Sequence, residues 1–435
     1  MIPFDRIPGD QIALMFENQK ITYAALQQVA LASKSQLDQF TEPIIFIPMT
    51  PTPVTVVKVV ACLLAQKIFV PLPAKDAAIH ARQLKSQFAS AVLWSTAIQH
   101  FKTPQLKQLW PKETLFIGFT SGTTGDPKGF VRNRASWQAS FENFASIPEF
   151  APKPYVTCFT PLHYSLGLYV LLQTLFQGKT FLLNMRDLND PLWTATILEQ
   201  SQIFSVPTVF MASLQHLKTP KPTKFEIILS GETITATQRQ YFEKRCPKAK
   251  LFTFYGASET SFIAYNTQKQ PPAQSVGRLF PKVQLQVTAD NALLVKSPMN
   301  FQGYLKNGQF QPAATWLQTG DVGRYQQGQL YYDGRQDDRI NRKGEKIFPK
   351  FVETLLLELP QVKDSLVYGL TDAQLGQRVV AAVVWQDDPL SKQALNTFLK
   401  QHSYRRYQID TLLTLDKMTY STSGKKIKPQ AVTKK

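Results

Sequence analysis

The chain has 435 residues, 43% of them hydrophobic, and a formal net charge of +18. This length exceeds what one hydrophobic core usually supports, so we expect two or three domains. No long stretch combines low hydrophobicity with high charge, which excludes extended disorder. The charge suits acidic carrier proteins and phosphorylated ligands, but the basic residues form no dense run with interleaved aromatic residues. We therefore expect no nucleic-acid binding.

The amino terminus lacks a basic segment followed by an uninterrupted apolar run, so it does not indicate a secretory signal. The most apolar early stretch, residues 54–65, contains Lys58 and is too short to span a bilayer. Cys62, Cys158 and Cys246 are far apart and odd in number, which suits neither a disulfide framework nor a metal cluster. We expect a cytoplasmic protein without a transmembrane segment, and buried or incidental thiols.

Helical and strand-like patterns alternate from the start of the chain. Apolar residues recur at helical spacing over residues 21–37 and 54–66, and the run IIFIPM at 44–49 is typical of a buried strand. Further short apolar runs, each typical of a strand, lie at 91–94, 115–119, 155–159, 180–183, 225–229 and 250–254. This alternation predicts an α/β fold with parallel sheets covered by helices.

The pattern changes from about Gly277 to short strands separated by Asn, Asp and Gly, which predicts an antiparallel β subdomain. The segment at 334–346 is strongly charged, and a new α/β pattern follows it. We place a domain boundary near Asp337. The predicted domains are a large amino-terminal domain of residues 1–336 and a small carboxy-terminal α/β domain of residues 337–435.

A glycine-rich loop, TSGTTGDPKG at 120–129, follows the strand-like LFIGF and precedes a helix-like segment at 137–145. Glycines let backbone amides approach an anion, hydroxyls add donors, and a lysine adds charge, so the loop predicts a triphosphate site. It lacks the Gly-Lys-Ser/Thr ending of the common P-loop. The candidate contacts are Thr120, Ser121, Gly122, Thr123, Thr124, Gly125 and Lys128.

Four further strings follow this loop in order: YGASET at 255–260, TGD at 319–321, GRQDDRINRKGEKIFP at 334–349 and SGKKIK at 423–428. With the loop they resemble the successive motifs of the adenylate-forming superfamily, which includes acyl-CoA synthetases, the adenylation domains of peptide synthetases and luciferases. The resemblance implies a two-domain fold with a mobile small domain, and the use of ATP, Mg²⁺ and coenzyme A.

The resemblance also implies roles for single residues around the adenosine of ATP. Tyr255 matches the aromatic residue that stacks on adenine, and Gly231 and Gly256 match parts of the adenine cradle. Asp321 matches the carboxylate that accepts hydrogen bonds from both ribose hydroxyls, which needs an ionised acceptor with two oxygens. Arg335 matches an arginine that reaches the ribose or a phosphate.

Other matches concern the reacting groups. Glu259 matches the magnesium-linked carboxylate, Thr260 a phosphate contact, and Lys425 the mobile cation that bridges the substrate carboxylate and the α-phosphate. His163, in TPLHYSLGL, matches a residue that gates the carboxylate pocket. The residues alone also allow Glu259 as a helix N-terminal carboxylate, His163 as a core residue and Lys425 as part of a solvated basic tail.

The boundary between the domains carries three further candidates. Asp337 occupies the position of the hinge in the family, where a solvated residue absorbs a change of backbone dihedral angle. Its neighbour Asp338 could take that place, and the pair could also be a solvated acidic pair. Lys343 and Gly344 match a loop that lines the path of the thiol.

The predicted function is an AMP-forming acid–CoA ligase whose substrate is a small-molecule carboxylic acid, fatty or aryl. No acidic residue lies between Tyr155 and Lys179 to bind an ammonium group, which favours a simple acid over an amino acid. An apolar set consistent with a fatty or aryl pocket, or equally with core, is Phe159, Leu166, Tyr169, Phe204, Phe262 and Ile263. Alternatives are loading of an acyl carrier protein, an O-succinylbenzoate–CoA ligase, and a nucleotide-sensing or nucleic-acid-binding protein that kept the fold.

Overall fold

The computed structural model describes residues 1–120, 128–150, 153–272, 274–402, 407–419 and 426–429. Within these ranges the strands form three sheets of thirteen, eight and five strands.

The first 120 residues alternate strands and helices. They form β1 (Ile12–Phe16), β2 (Gln19–Thr22), α1 (Tyr23–Leu37), β3 (Ile44–Pro48), α2 (Pro53–Ala65), β4 (Ile68–Leu72), α3 (Ala77–Leu84), β5 (Ser90–Leu93), β6 (Gln99–Lys102) and β7 (Thr114–Thr120). Local sequence explains the helix starts. The Thr22 hydroxyl accepts a hydrogen bond from the Ala25 amide at 3.2 Å and caps α1, and Pro53 suits the first turn of α2.

The middle of the chain continues the same alternation. It forms β8 (Lys128–Asn133), α4 (Arg134–Ala145), β9 (Tyr155–Cys158), α5 (Ser165–Phe176), β10 (Thr180–Leu182), α6 (Ala195–Glu199), β11 (Ser201–Ser205), α7 (Pro207–Gln215), β12 (Glu226–Leu229), α8 (Ala236–Arg245), β13 (Lys250–Tyr255), β14 (Ala264–Asn266) and β15 (Ser275–Leu279). The six further strand-like runs predicted from the sequence all coincide with strands, four of them in this part.

The last part is mainly strands. It forms β16 (Gln284–Val287), β17 (Ala292–Lys296), β18 (Gly303–Lys306), β19 (Gln309–Pro312), β20 (Leu317–Gln326), β21 (Gln329–Arg335), β22 (Ile340–Arg342), β23 (Glu345–Ile347), α9 (Pro349–Leu356), β24 (Val362–Asp372), β25 (Gly376–Trp385), α10 (Lys392–His402) and β26 (Thr411–Leu415).

The thirteen-stranded sheet has the order β16-β17-β20-β21-β15-β14-β13-β12-β11-β9-β10-β1-β2. Strands β13, β12, β11, β9, β10 and β1 are mutually parallel, whereas β14 to β17, β20 and β21 pair antiparallel. The predicted antiparallel β subdomain is therefore present, and it extends one of the parallel sheets.

The eight-stranded sheet has the order β19-β18-β8-β7-β4-β3-β5-β6, with β3 parallel to both β4 and β5. One core cluster joins residues of both large sheets with residues of α1, α2, α4 and α5. Its centre is aromatic. Trp137 on α4 is buried and lies 4.6 Å from the ring of Phe116 and 5.7 Å from that of Tyr169. The predicted α/β architecture of covered parallel sheets is thus confirmed.

One connection differs from the sequence prediction. The glycine-rich loop does not lead directly into a helix, because β8 follows it and pairs antiparallel with β7, with Thr120 opposite Lys128. Helix α4 begins only after β8, where the Asn133 side chain accepts a hydrogen bond from the Ser136 amide at 2.9 Å. The loop therefore connects two adjacent strands of one sheet.

The five-stranded sheet has the order β23-β22-β25-β24, and β26 pairs parallel with β25. Its first strand begins at Ile340, three residues after Asp337, and α9 and α10 pack on it to form a separate core cluster. Val322 of β20 also belongs to this cluster, so the small sheet packs against the end of the large one.

Candidate active site

A cavity of about 820 Å³ lies at the carboxyl ends of the parallel strands β12 and β13. Neighbouring parallel strands end at the same edge of a sheet, so the segments that follow them meet there. Gly231 follows β12 and Gly256 follows β13, and residues of α9 close the other side. Among the predicted nucleotide contacts, the cavity is lined by Gly231, Tyr255, Gly256, Asp321 and Arg335.

Asp321 is the centre of the polar wall of this cavity. It is buried on β20, directly opposite Arg335 on β21. Arg335 Nη1 donates to Asp321 Oδ1 at 2.9 Å, and the Tyr255 hydroxyl donates to Oδ2. Burial raises the pKa of the Asp321 carboxyl above its ordinary value, and these two donors oppose the shift. The carboxylate keeps lone pairs free for further donors on the cavity side.

Two tyrosine rings flank the carboxylate. Tyr255 and Tyr332 have ring centroids 5.6 Å apart, and both line the cavity. Burial and the neighbouring Asp321 raise the pKa of Tyr255, so its hydroxyl stays protonated and can donate. Tyr332 was not predicted as a site residue, because no motif contains it and only strand pairing brings it to the cavity.

The two glycines of the cavity are required by geometry. Gly231 has φ of +88°, a conformation that side chains with a Cβ rarely adopt. A Cβ at Gly256 would lie 1.8 Å from the carbonyl oxygen of Ser261. A side chain at Gly231 would therefore be strained, and one at Gly256 would collide with the turn that follows β13.

Glu259 and Lys128 meet through a tyrosine that the sequence motifs did not reveal. The Tyr304 hydroxyl donates to Glu259 Oε1 at 3.1 Å, and Lys128 Nζ lies 3.4 Å from the centroid of the Tyr304 ring. Strand pairing explains the contact, because β18 runs antiparallel to β8 with Tyr304 opposite Phe130. The base of the glycine-rich loop and the predicted metal carboxylate are thus brought together.

Arg132 is a second residue that sequence reasoning missed. It is fully buried on β8, and Nη1 donates to the Glu259 carbonyl at 3.1 Å. Burial lowers its pKa to about 9, and Glu259 opposes the shift. The sequence did contain one indication of its role: an arginine directly after the apolar Val131 and before the cap of α4 is unusual in a buried strand.

Thr260 has a structural contact in this arrangement. The residue is buried, and its hydroxyl accepts a hydrogen bond from the Ala257 amide at 3.1 Å. That bond closes the turn of the YGASET segment. A phosphate contact by this hydroxyl stays a prediction.

Several predicted residues do not line the cavity. His163 precedes α5, with its ring 4.1 Å from that of Tyr164, and burial and the nearby His80 lower its pKa. Lys343 and Gly344, with φ of 48° and 81°, form the two-residue turn between β22 and β23. Asp337 is exposed in the connection between β21 and β22.

The candidate pocket residues for the acid do not line the cavity either. Most of them are buried in the apolar core clusters, where close packing by neighbours explains their pattern; these are Phe159, Tyr169, Phe204, Phe262 and Ile263. Leu166 packs partly buried against the first cluster. Six predicted contacts, Ser121, Gly122, Thr123, Thr124, Gly125 and Lys425, lie outside the described residues.

The residues at Glu259 fit a magnesium ion that is held mainly by a nucleotide. Among the described residues no group of three or more His, Cys, Asp or Glu could hold a metal alone. Mg²⁺ usually binds through one or two carboxylates together with substrate phosphates and water. A single carboxylate beside a phosphate-type loop is therefore the expected donor set.

Comparison with known families assigns the chain. Residues 74–305 match the model of the AMP-binding enzyme family, and residues 352–425 match that of the AMP-binding enzyme C-terminal domain. The chain therefore belongs to the AMP-binding enzymes, as the motifs predict. These matches confirm the predicted enzyme class, an ATP-dependent adenylating enzyme of the acid–CoA ligase type.

Two relatives illustrate the assignment. The chain is 34% identical over 72% of its length and 70% of that protein to a "putative long chain fatty acid-CoA ligase VraA" of Staphylococcus epidermidis. It is 30% identical to the protein of that name from Staphylococcus aureus (strain COL), over 96% of this chain and 93% of the relative.

Solved structures share the fold. An o-succinylbenzoate CoA synthetase (MenE) from Bacillus subtilis, in complex with the acyl-adenylate intermediate OSB-AMP, superimposes with a TM-score of 0.78 at 23% identity, over 97% of this chain and 95% of that chain. Apo MatB from Rhodopseudomonas palustris gives a TM-score of 0.76 at 19% identity, over 98% and 96%. Within the described residues, no helix has the length and apolar character needed to cross a membrane.

Proposed function

We propose that the chain catalyses the AMP-forming ligation of a carboxylic acid to coenzyme A. In the first half-reaction a carboxylate oxygen attacks the α-phosphorus of ATP, and pyrophosphate leaves. In the second half-reaction the thiol of coenzyme A attacks the acyl carbon, and AMP leaves. The observation that carries this proposal is the buried Asp321 with its donors Tyr255 and Arg335 at the glycine-lined cavity.

These residues suit the adenosine part of the nucleotide. Asp321 would accept hydrogen bonds from the ribose hydroxyls, because it lines the cavity and each of its two oxygens can accept a further hydrogen bond. Tyr255 and Tyr332 offer aromatic surface for the base. Gly231 and Gly256 allow the backbone to approach it closely.

The phosphate end would lie between the glycine-rich loop and the YGASET segment. Lys128 adds charge at the end of the loop, and Glu259 would hold the magnesium ion, which neutralises phosphate charge when bound. Residues 120–125 and Thr260 would supply further donors. Lys425 would bridge the carboxylate and the α-phosphate as charge develops.

The second half-reaction would use the small domain, for which we propose residues 337–435. Asp337 is exposed in a short connection and would serve as the hinge. The turn of Lys343 and Gly344 projects from the small sheet between β22 and β23, and it would line the path of the thiol after rotation.

We further propose that the acid is fatty or aryl. The segment between Tyr155 and Lys179 has no carboxylate to bind a substrate ammonium group, and two relatives bear the name "putative long chain fatty acid-CoA ligase VraA". His163 lies in that segment beside the exposed Tyr164 and is the candidate gate. The aromatic residues first considered for the acyl pocket are packed in the core, so we propose that other side chains line that pocket.

The test offers the purified enzyme MgATP and a panel of acids with one thiol at a time. The panel contains fatty acids of several lengths, aryl acids, o-succinylbenzoate and amino acids, and the acceptors are coenzyme A and a holo acyl carrier protein. We expect acyl-CoA to form with a fatty or aryl acid, and Asp321→Asn to lose that activity. Acylation of the carrier protein without acyl-CoA would contradict the proposed acceptor, and product from amino acids alone would contradict the proposed acid.

A further inference from the structure

Arg132 lies beneath the segment that carries Glu259. Its side chain is fully buried, yet its guanidinium reaches three acceptors on that segment. Nη1 donates to the carbonyl oxygens of Glu259 at 3.1 Å and Ser258 at 3.4 Å, and Nη2 donates to Ser261 Oγ at 2.5 Å. The contacts therefore span the residues on both sides of the glutamate.

Burying an arginine is costly, and a strand does not need one. Removing a charge from water costs several kcal/mol of desolvation free energy unless hydrogen bonds and neighbouring charges compensate it. An aliphatic residue at the same buried position would carry no such desolvation cost. The planar fork of a guanidinium can hold several acceptors in fixed relative positions, which no apolar side chain can do. These contacts therefore indicate that the arginine stabilises the position of residues 258–261.

The strand places the arginine beside the phosphate end of the site. Side chains two and four positions apart on a strand lie on one face, so Arg132 shares a face of β8 with Lys128. Lys128 lies against the Tyr304 ring, and the Tyr304 hydroxyl donates to the Glu259 side chain. The Phe301 amide also donates to the Glu259 carbonyl, at 2.7 Å. Arg132 and the Phe301 amide therefore donate to the Glu259 backbone carbonyl, and Tyr304 donates to its side chain.

We propose that Arg132 is a positioning residue that fixes the backbone of residues 258–261, so that the Glu259 carboxylate faces the magnesium ion of the bound nucleotide. This inference rests on the proposed function. It makes a specific claim: Arg132 contributes to the gain in ATP affinity that magnesium brings, and contributes little to binding of the adenosine part, which lies at Asp321.

The test measures binding by calorimetry on the full chain for wild type, Arg132→Met, Arg132→Lys and the control Arg134→Met. Arg134 lies two residues further on, where Nη2 donates to the Leu63 carbonyl at 3.3 Å, away from this network. Each protein is titrated with AMP, with ATP in EDTA and with ATP in Mg²⁺, and thermal unfolding is recorded in parallel.

For Arg132→Met we expect the magnesium-dependent gain in ATP affinity to fall about tenfold or more, since up to three hydrogen bonds are lost. Affinity for AMP and for ATP in EDTA should change less than about twofold. Arg132→Lys keeps the charge and can reach one carbonyl, so it should restore part of the gain. The control should resemble wild type in all three titrations.

A second variant covers the case in which Arg132→Met does not fold. Ser261→Ala keeps the arginine and removes only its Nη2 acceptor, and it should reduce the magnesium-dependent gain about threefold. An unchanged gain in a folded Arg132→Met or in Ser261→Ala would overturn the inference, as would equal loss of AMP and MgATP binding. A wild-type protein that binds neither AMP nor MgATP would instead contradict the proposed function itself.

Discussion

Asp321 is the residue on which the proposed adenosine site depends most. It holds two protein donors and still faces the cavity, so replacing it by asparagine removes the charge while keeping the shape. Hydrogen bonds to an ionised group contribute about 1.5–3 kcal/mol, so Asp321→Asn should weaken AMP binding about tenfold to a hundredfold. Calorimetry with AMP measures this, and Asp290→Asn, on the exposed turn after β16, is the control.

The same carboxylate predicts how AMP binding depends on pH. Burial raises the pKa of Asp321, so protonation starts at a higher pH than for an ordinary aspartate, whose pKa is about 3.9. Protonation removes the acceptor that the ribose needs, so AMP affinity should fall as the pH is lowered. The fall should be absent in Asp321→Asn; a wild-type affinity that stays constant down to acid unfolding would contradict this assignment.

Tyr304 predicts a separate effect at the phosphate end. Tyr304→Phe keeps the ring beside Lys128 and removes the hydrogen bond to Glu259 Oε1. A hydrogen bond to an ionised group contributes about 1.5–3 kcal/mol, so KM for MgATP should rise about tenfold or more. The exposed Tyr325 provides the control Tyr325→Phe, which should leave KM unchanged. A fivefold loss of AMP affinity in Tyr304→Phe would place its role elsewhere.

The sequence predicted some site residues and could not predict others, for a physical reason. Tyr255, Asp321 and Arg335 stand in local strings whose spacing is informative by itself, and the structure brings them together at one cavity. Tyr304 and Arg132 belong to no such string. The contacts of Tyr304 depend on pairing of β18 with β8, and those of Arg132 depend on packing of β8 against the segment that follows β13. A single sequence specifies neither.

Elements with a strong period were predicted well. The helical spacing of residues 21–37 and 54–66 corresponds to α1 and α2 within two residues at each end. Strand β8 was missed because only two of its residues, Phe130 and Val131, are apolar, and charged residues surround them. It forms because β7 and β18 pair with both of its edges, which is a property of the sheet.

The turn after β13 predicts a strong effect of a small change. In Gly256→Ala the added Cβ would meet the Ser261 carbonyl at 1.8 Å, so the turn must move. Overpacking of this kind costs about 1–3 kcal/mol, and both AMP affinity and unfolding temperature should fall. Gly328→Ala, at a loop position with no atom within 4 Å of the added Cβ, should cost only the strain of its positive φ, about 1 kcal/mol, and keep AMP affinity.

In the whole molecule, the proposed function requires the large and the small domain to adopt two relative orientations, one for each half-reaction. Proline fixes φ near −65°, so Asp337→Pro should restrict the proposed hinge. We expect adenylate formation to change less than about threefold and transfer from supplied acyl-AMP to coenzyme A to fall about tenfold or more. Asp337→Ala is the control; equal loss in both half-reactions would point to misfolding or to a different hinge.

Formation of an acyl-adenylate by this chain is reversible, so acid-dependent exchange of labelled pyrophosphate into ATP reports that step alone. We predict exchange with a fatty or aryl acid, none without acid, and a large loss in Lys425→Ala, while transfer from supplied acyl-AMP persists in that variant. Absence of exchange across the whole panel of acids, with Lys425→Ala indistinguishable from wild type, would show that the chain does not form an acyl-adenylate from these acids.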